Sequence, residues 1–195
     1  MSRLERALAE LDRINGEDPR AEIVDGRAVP KELLYARRMS ETLAAFAPDA
    51  SEELKLAVHA QHVARWRIPR SSFPDGRDGY KKWRTRLMDL HAALAGEVLR
   101  GVGYGEDAVA RVAHLLHKEG IKRDPDVQIL EDVACLVFLR WYLAEFAAEH
   151  DDDKLVDILR KTWRKMSARG REAASALDLG ESGARLLGRA LAEAG

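Results

Sequence analysis

The sequence predicts an all-α fold: a helical bundle with a buried central helix and a C-terminal helical extension. Three observations lead there. Ala, Leu, Arg and Glu dominate the chain, and all of them favour helix. Apolar residues recur at helical spacing in segment after segment, and no run alternates with period two, so no strand is expected. Turn clusters and prolines divide the chain into pieces of ordinary helical length. At 195 residues one compact domain is the natural expectation. Its core would span residues 30–168, with an N-terminal helix and loop over 1–29 and peripheral helices over 169–195.

The first helix should run to about Ile14 and stop at Asn15-Gly16-Glu17-Asp18-Pro19, a strong turn cluster. Pro30 suits a first helical position, and Leu33, Leu34, Met39, Leu43 and Phe46 make an apolar face that ends at Pro48. Asp49 followed by Glu52 resembles a capping box for a helix carrying Leu54, Leu56, Val58, His59, His62 and Trp66, which Pro69 would stop. Residues 70–79 are rich in Ser, Pro, Asp, Gly and Arg and read as a loop, a candidate lid or specificity loop.

Helices over 80–99 and 106–117 come next. Asp124-Pro125 supplies cap and first-turn chemistry for a helix whose centre, residues 133–139, is apolar on every side and belongs in the middle of the bundle. Asp151, Asp152 and Asp153 start the next helix, and Lys161, Arg164 and Lys165 lie near its end, matching the macrodipole.

The net charge of −1 gives no global reason to expect nucleic acid or an anionic membrane as partner. No apolar run approaches the roughly 20 residues of a membrane span. The start of the chain lacks the apolar run of a secretory signal. The single cysteine, Cys135, excludes an intrachain disulfide, suits a reducing compartment and reads as a packed core thiol. A cytoplasmic location is expected.

Three constellations carry the candidate chemistry. Glu131-Asp132 sits one turn before the apolar centre, where a carboxylate needs a metal, an Arg or Lys, or a proton. His59 and His62 lie three apart on one helical face and His91 on another helix; two imidazoles with a carboxylate suit Mn, Fe, Co or Zn, while hydrogen-bonded histidines are the plainer alternative. His114, His117 and His150 read as surface residues. Basic residues flank indoles at 65–70, 80–84 and 161–165, a pattern of phosphate or base recognition or, alternatively, of packed rings with solvated neighbours.

The strings Asn15-Gly16-Glu17-Asp18-Pro19, Leu34-Tyr35 through Arg38-Met39, Gln61-His62 through Arg65-Trp66 and Ile68-Pro69-Arg70 resemble the domain-of-unknown-function 4202 family. Gly79-Tyr80 through Trp83-Arg84, His91, the stretch 130–139 and the stretch 161–167 complete the resemblance. The order Arg38-Met39, His62, His91 and a late Asp132 is similar to HD-domain metal-dependent phosphohydrolases, helical bundles whose ligands are a His, a His-Asp pair and a distant Asp. That similarity implies an HD-like bundle. His62 matches the pair's histidine and Asp132 the distant aspartate; Val63 stands where the paired Asp belongs, and Tyr35 falls near the first His.

The resemblance implies a hydrolase of a small phosphate-containing molecule, most plausibly a nucleotide. His62, His91 and Asp132 would hold a divalent Mn, Fe or Zn ion, with Glu131 and Lys161 as catalytic groups. Arg38, Arg65, Arg70, Arg84, Lys118 and Lys165 would bind substrate. The competing readings are a metal-free nucleotide- or anion-binding protein, in which Asp132 pairs with a cation, and contact with RNA or DNA through the basic, Trp-bearing segments.

Overall fold

The computed structural model describes residues 1–192 and is all-α apart from one small hairpin. The chain divides into two compact units, Met1–Gly120 and a second beginning at Ile121. Among the described residues no helix is long and apolar enough to cross a membrane.

The first unit opens with α1 (Arg3–Asn15), started by a Ser2/Glu5 capping box. Its buried Ala7, Leu11 and Ile14 make it part of the core rather than an appendage. Strands β1 (Ala21–Val24) and β2 (Arg27–Pro30) pair antiparallel with Val24 opposite Arg27. This corrects the expectation of no strand. Asp25 and Gly26 both take positive φ, 50° and 75°, the two-residue turn that Asp-Gly favours and whose twist matches paired strands. The strands are four residues each and mostly polar, so hydrophobic alternation could not reveal them.

Helix α2 (Lys31–Phe46) buries Ala36, Met39, Leu43 and Phe46. Helix α3 (Glu52–Ala60) is capped by Ser51, which accepts from the Leu54 N–H, rather than by Asp49. It also ends earlier than Pro69 requires. Residues 61–65 close successive i to i+3 turns, and Ala64 takes a left-handed conformation (φ 55°). An alanine there is disfavoured by about 1 kcal/mol, and the Ala64 N–H is held by the carbonyl of the buried Asn15 side chain at 3.1 Å. The turn cluster that begins at Asn15 therefore fixes where α3 stops, and His62 projects from a turn and Arg65 from the short 3-10 helix Arg65–Arg67 instead of from α3.

Helix α4 (Gly76–Gly101) begins inside the segment expected to be a loop, and α5 (Glu106–His117) packs along it. Its start is set by a close approach: a Cβ on Gly79 would lie 1.8 Å from the Pro74 carbonyl oxygen. Inside a helix Gly to Ala normally stabilises by about 1 kcal/mol. Gly79→Ala should instead destabilise by about 2 kcal/mol, read as a lower urea midpoint; a raised midpoint would show that the two segments do not touch.

In the second unit α6 (Pro125–Val137) has Asp124 as cap and Pro125 in its first turn. It continues through a π-helical turn at Phe138–Tyr142 into α7 (Leu143–Ala148). Val127, Leu130, Val133, Cys135, Leu136 and Val137 bury it on several sides. Helices α8 (Asp152–Lys165), α9 (Ala168–Ser175) and α10 (Gly180–Ala192) complete the unit. α10 lies against α8, where Arg185 and Arg189 pair with Asp152 and Asp153.

Candidate anion-binding site

In the first unit, side chains from α2, the turn after α3, and α4 converge on His62. Tyr35 stacks on its ring at 3.9 Å between centroids, 11° from parallel. Arg65 Nη1 donates to His62 Nε2 at 3.0 Å. A guanidinium has no acceptor, so Nε2 carries the lone pair and the ring proton sits on Nδ1, which faces Glu32 Oε2 at 3.3 Å. The remaining face of the Arg65 guanidinium is used as well: it lies 4.7 Å from the centre of the Trp83 ring, and Trp83 is fixed by donating Nε1–H to the Ile68 carbonyl at 2.8 Å.

Glu32 is anchored from the other side. Its carboxylate accepts from Arg20 Nη2 at 2.9 Å, and its backbone N–H donates to Asp18. Asp18 in turn accepts from the Arg20 backbone N–H and both ends of the Arg20 fork. Burial raises Asp18, but the Arg20 hydrogen bonds override it and hold the carboxyl below its ordinary range. Burial wins at Glu32: it pushes that carboxyl up, against the pull of Arg65 and Arg20. Burial likewise lowers the Arg65 guanidinium.

His91, on α4, stands 6.0 Å from His62 between ring centres and is 4% exposed. Its Nε2 is buried without a hydrogen-bond partner. Burial holds both imidazoles well below their ordinary range; at His62 the charges of Arg65, Lys118, Arg84 and Arg20 add to it, and at His91 the proximity of His62 does.

A depressed histidine binds more protons unfolded than folded, so stability rises with pH through the window between its folded value and about 6.5. Lowering the pH from 7.5 to 5.5 should therefore destabilise the protein, by at most about 1.4 kcal/mol per pH unit for each histidine. The raised carboxyl of Glu32 works in the opposite sense, but in a window that opens at the ordinary carboxylate range. Urea melts at several pH values check this, and a His62→Gln/His91→Gln double variant should show a flatter profile.

Of the expected site residues, His62, His91, Arg65, Arg84 and Lys118 are thus brought to one place. Arg38 pairs with Glu22 of the hairpin at 2.9 Å, and Arg70 donates to the Phe73 carbonyl at 2.9 Å, closing its own turn. His59 is held between Ser40 and Asp12. Glu131, Asp132, Lys161 and Lys165 belong to the second unit. There Asp132, 1% exposed, accepts from Ser167 N–H at 2.8 Å, from the Ser167 hydroxyl and from Gln128 Nε2 at 3.1 Å. Glu131 lies 3.4 Å from Lys165, and exposed Lys161 pairs with Asp157.

These arrangements do not fit the divalent ion that the HD resemblance implies. A metal would need the His62 Nε2 lone pair that Arg65 engages, and cations crowd the place where it would sit. Asp132 has donors on both oxygens. Among the described residues no three His, Cys, Asp or Glu side chains are placed to hold a metal ion.

Reasoning from sequence misses Glu32, although a signal exists. It shares the 32, 36, 39, 43 stripe with Ala36, Met39 and Leu43, and an acidic residue on an apolar stripe must find a partner. Asp18 and Arg20 escape notice in the same way, as parts of a turn.

The fold and site together define an all-helical protein with a cation-rich, carboxylate-braced cluster around a neutral histidine. The chain belongs to the family described as domain of unknown function DUF4202, which it matches over residues 5–187. No curated protein and no solved structure matches it.

Proposed function

We propose that the first unit binds a small phosphate-containing molecule, a nucleotide being the simplest example, without a metal ion and without catalysis. One observation carries this: Arg65 donates to His62 Nε2 at 3.0 Å and Arg20 to the adjoining Glu32 at 2.9 Å, and the charges of Lys118 and Arg84 bear on the same ring. A dianionic phosphate is complementary to such a cluster, since guanidinium forks match phosphate oxygens. The buried Nε2 of His91, which has no partner, offers a further polar group to a bound ligand. Tyr35 stacked on His62 also supports the metal-free reading. It places a phenol where the HD resemblance asks for a first imidazole, and a neutral phenol is a poor ligand for a divalent ion.

Calorimetric titration with inorganic phosphate and nucleoside monophosphates in EDTA tests the reading. Binding should survive EDTA and weaken by about tenfold in Arg84→Ala and in Lys118→Ala. Binding that requires added Mn or Zn, with stoichiometric metal in protein purified without chelator, would reject it in favour of a metal-dependent hydrolase.

A further inference from the structure

We propose that Tyr80 is the platform on which the base of a nucleotide stacks while its phosphate occupies the cationic cluster. Nucleoside phosphates, rather than sugar phosphates or inorganic phosphate, are then the ligand class. The inference rests on the phosphate site proposed above and adds to it a residue that determines specificity.

Three large apolar side chains are exposed among the described residues, Met1, Ile23 and Tyr80, and Tyr80, at 45%, is the aromatic one. Its position is not that of a loose surface ring. Tyr80 is tilted 49° against Trp83 at 5.8 Å between centroids, and Trp83 is itself buried and pinned to the Ile68 carbonyl. The guanidinium that lies over Trp83 is Arg65, which grips His62. A chain of contacts thus runs from the exposed ring to the centre of the cluster.

Helical spacing supplies the second argument. Tyr80, Arg84, Leu87 and His91 succeed one another at intervals of four, three and four along α4, so they share one stripe. Along it the chemistry changes in order: an exposed aromatic ring, a cation about one turn further on (a rise of about 5.4 Å), and a buried imidazole with an unpartnered nitrogen. A nucleoside monophosphate has the same order, an aromatic base and a phosphate at opposite ends of one sugar. Every base has a π face, so stacking on tyrosine is tolerant of base identity.

The experiment compares affinities for the four common nucleoside monophosphates and for ribose 5-phosphate by calorimetry on the full chain. At least one nucleotide should bind about tenfold more tightly than ribose 5-phosphate, the effect of one stacked base. Tyr80→Ala should collapse that ratio toward one, and Tyr80→Trp should restore it, with circular dichroism confirming that each variant is folded. Ribose 5-phosphate binding as tightly as every nucleotide, or a ratio that persists in Tyr80→Ala, would overturn the base platform while leaving the phosphate site standing. If neither class binds, the phosphate site fails and the platform falls with it.

Discussion

Replacing Glu32 with alanine should cost the protein about 3 kcal/mol of stability, near the lower end of the loss expected when one partner of a buried ion pair is removed. The carboxylate is buried, and its charge opposes that of Arg65 in a cluster that also holds Arg20, Arg84 and Lys118. Without it these cations repel one another in a poorly solvated place. The loss stays below the extreme because Arg20 is 48% exposed and keeps Asp18 as a partner. Glu32→Gln preserves the shape and a hydrogen-bond acceptor and should cost about half as much. The same change should tighten phosphate binding, because it removes the negative charge nearest the anion. A variant that is less stable yet binds better is the signature of a carboxylate holding cations in place for a ligand. Weaker binding in a folded Glu32→Gln variant would argue that the carboxylate itself contacts the ligand.

Asp132→Ala should also cost about 3 kcal/mol, through a different mechanism. It leaves the part-buried Ser167 N–H and hydroxyl without their acceptor and takes from the Gln128 amide one of its two, the other being the Lys165 carbonyl at 2.9 Å. Each such donor left unpaired costs about 1 kcal/mol or more, and the packing of a carboxylate 1% exposed is lost with it. The carboxylate ties α6 to the start of α9, where the Ser167 hydroxyl also accepts from the Gly170 N–H. The fit is close: a Cβ on Gly170 would meet Asp132 Oδ1 at 2.5 Å. Asp132→Asn, which retains one carbonyl oxygen, should lose roughly half as much. Urea melts with and without EDTA separate this from metal ligation. A cap-holding carboxylate gives the same loss in both, whereas a metal ligand gives a loss that EDTA removes.

The helices were legible because their signals are local. Asp124-Pro125, Asp151 and the Ala and Leu periodicity mark α5, α6 and α8 within a residue or two of where they lie. Signals failed where a distant residue decides the outcome. Nothing within residues 61–65 stops α3; the buried Asn15 does, by holding the Ala64 N–H in a left-handed turn. Nothing within residues 76–79 announces helix either, because Gly76-Arg77-Asp78-Gly79 is loop-like by composition. The hairpin was legible in principle from Asp25-Gly26 and was hidden by the polarity of its strands.

The candidate site divides in the same way. His62, His91, Arg65, Arg84 and Lys118 stand out by residue type, yet their type does not say whether the imidazoles face a metal or a guanidinium. At His62 it is the guanidinium of Arg65, and Ser167 and Gln128 donate to Asp132 in the second unit.

By itself the sequence determined the all-helical class, most helix limits and the residue types available for binding an anion, because helical periodicity and capping act over four residues or fewer. Tertiary structure alone decided which charge meets which. The partners Glu32 and His62, Asn15 and Ala64, and Asp132 and Ser167 are 30, 49 and 35 positions apart, and the electrostatic character of a buried side chain is set by neighbours in space.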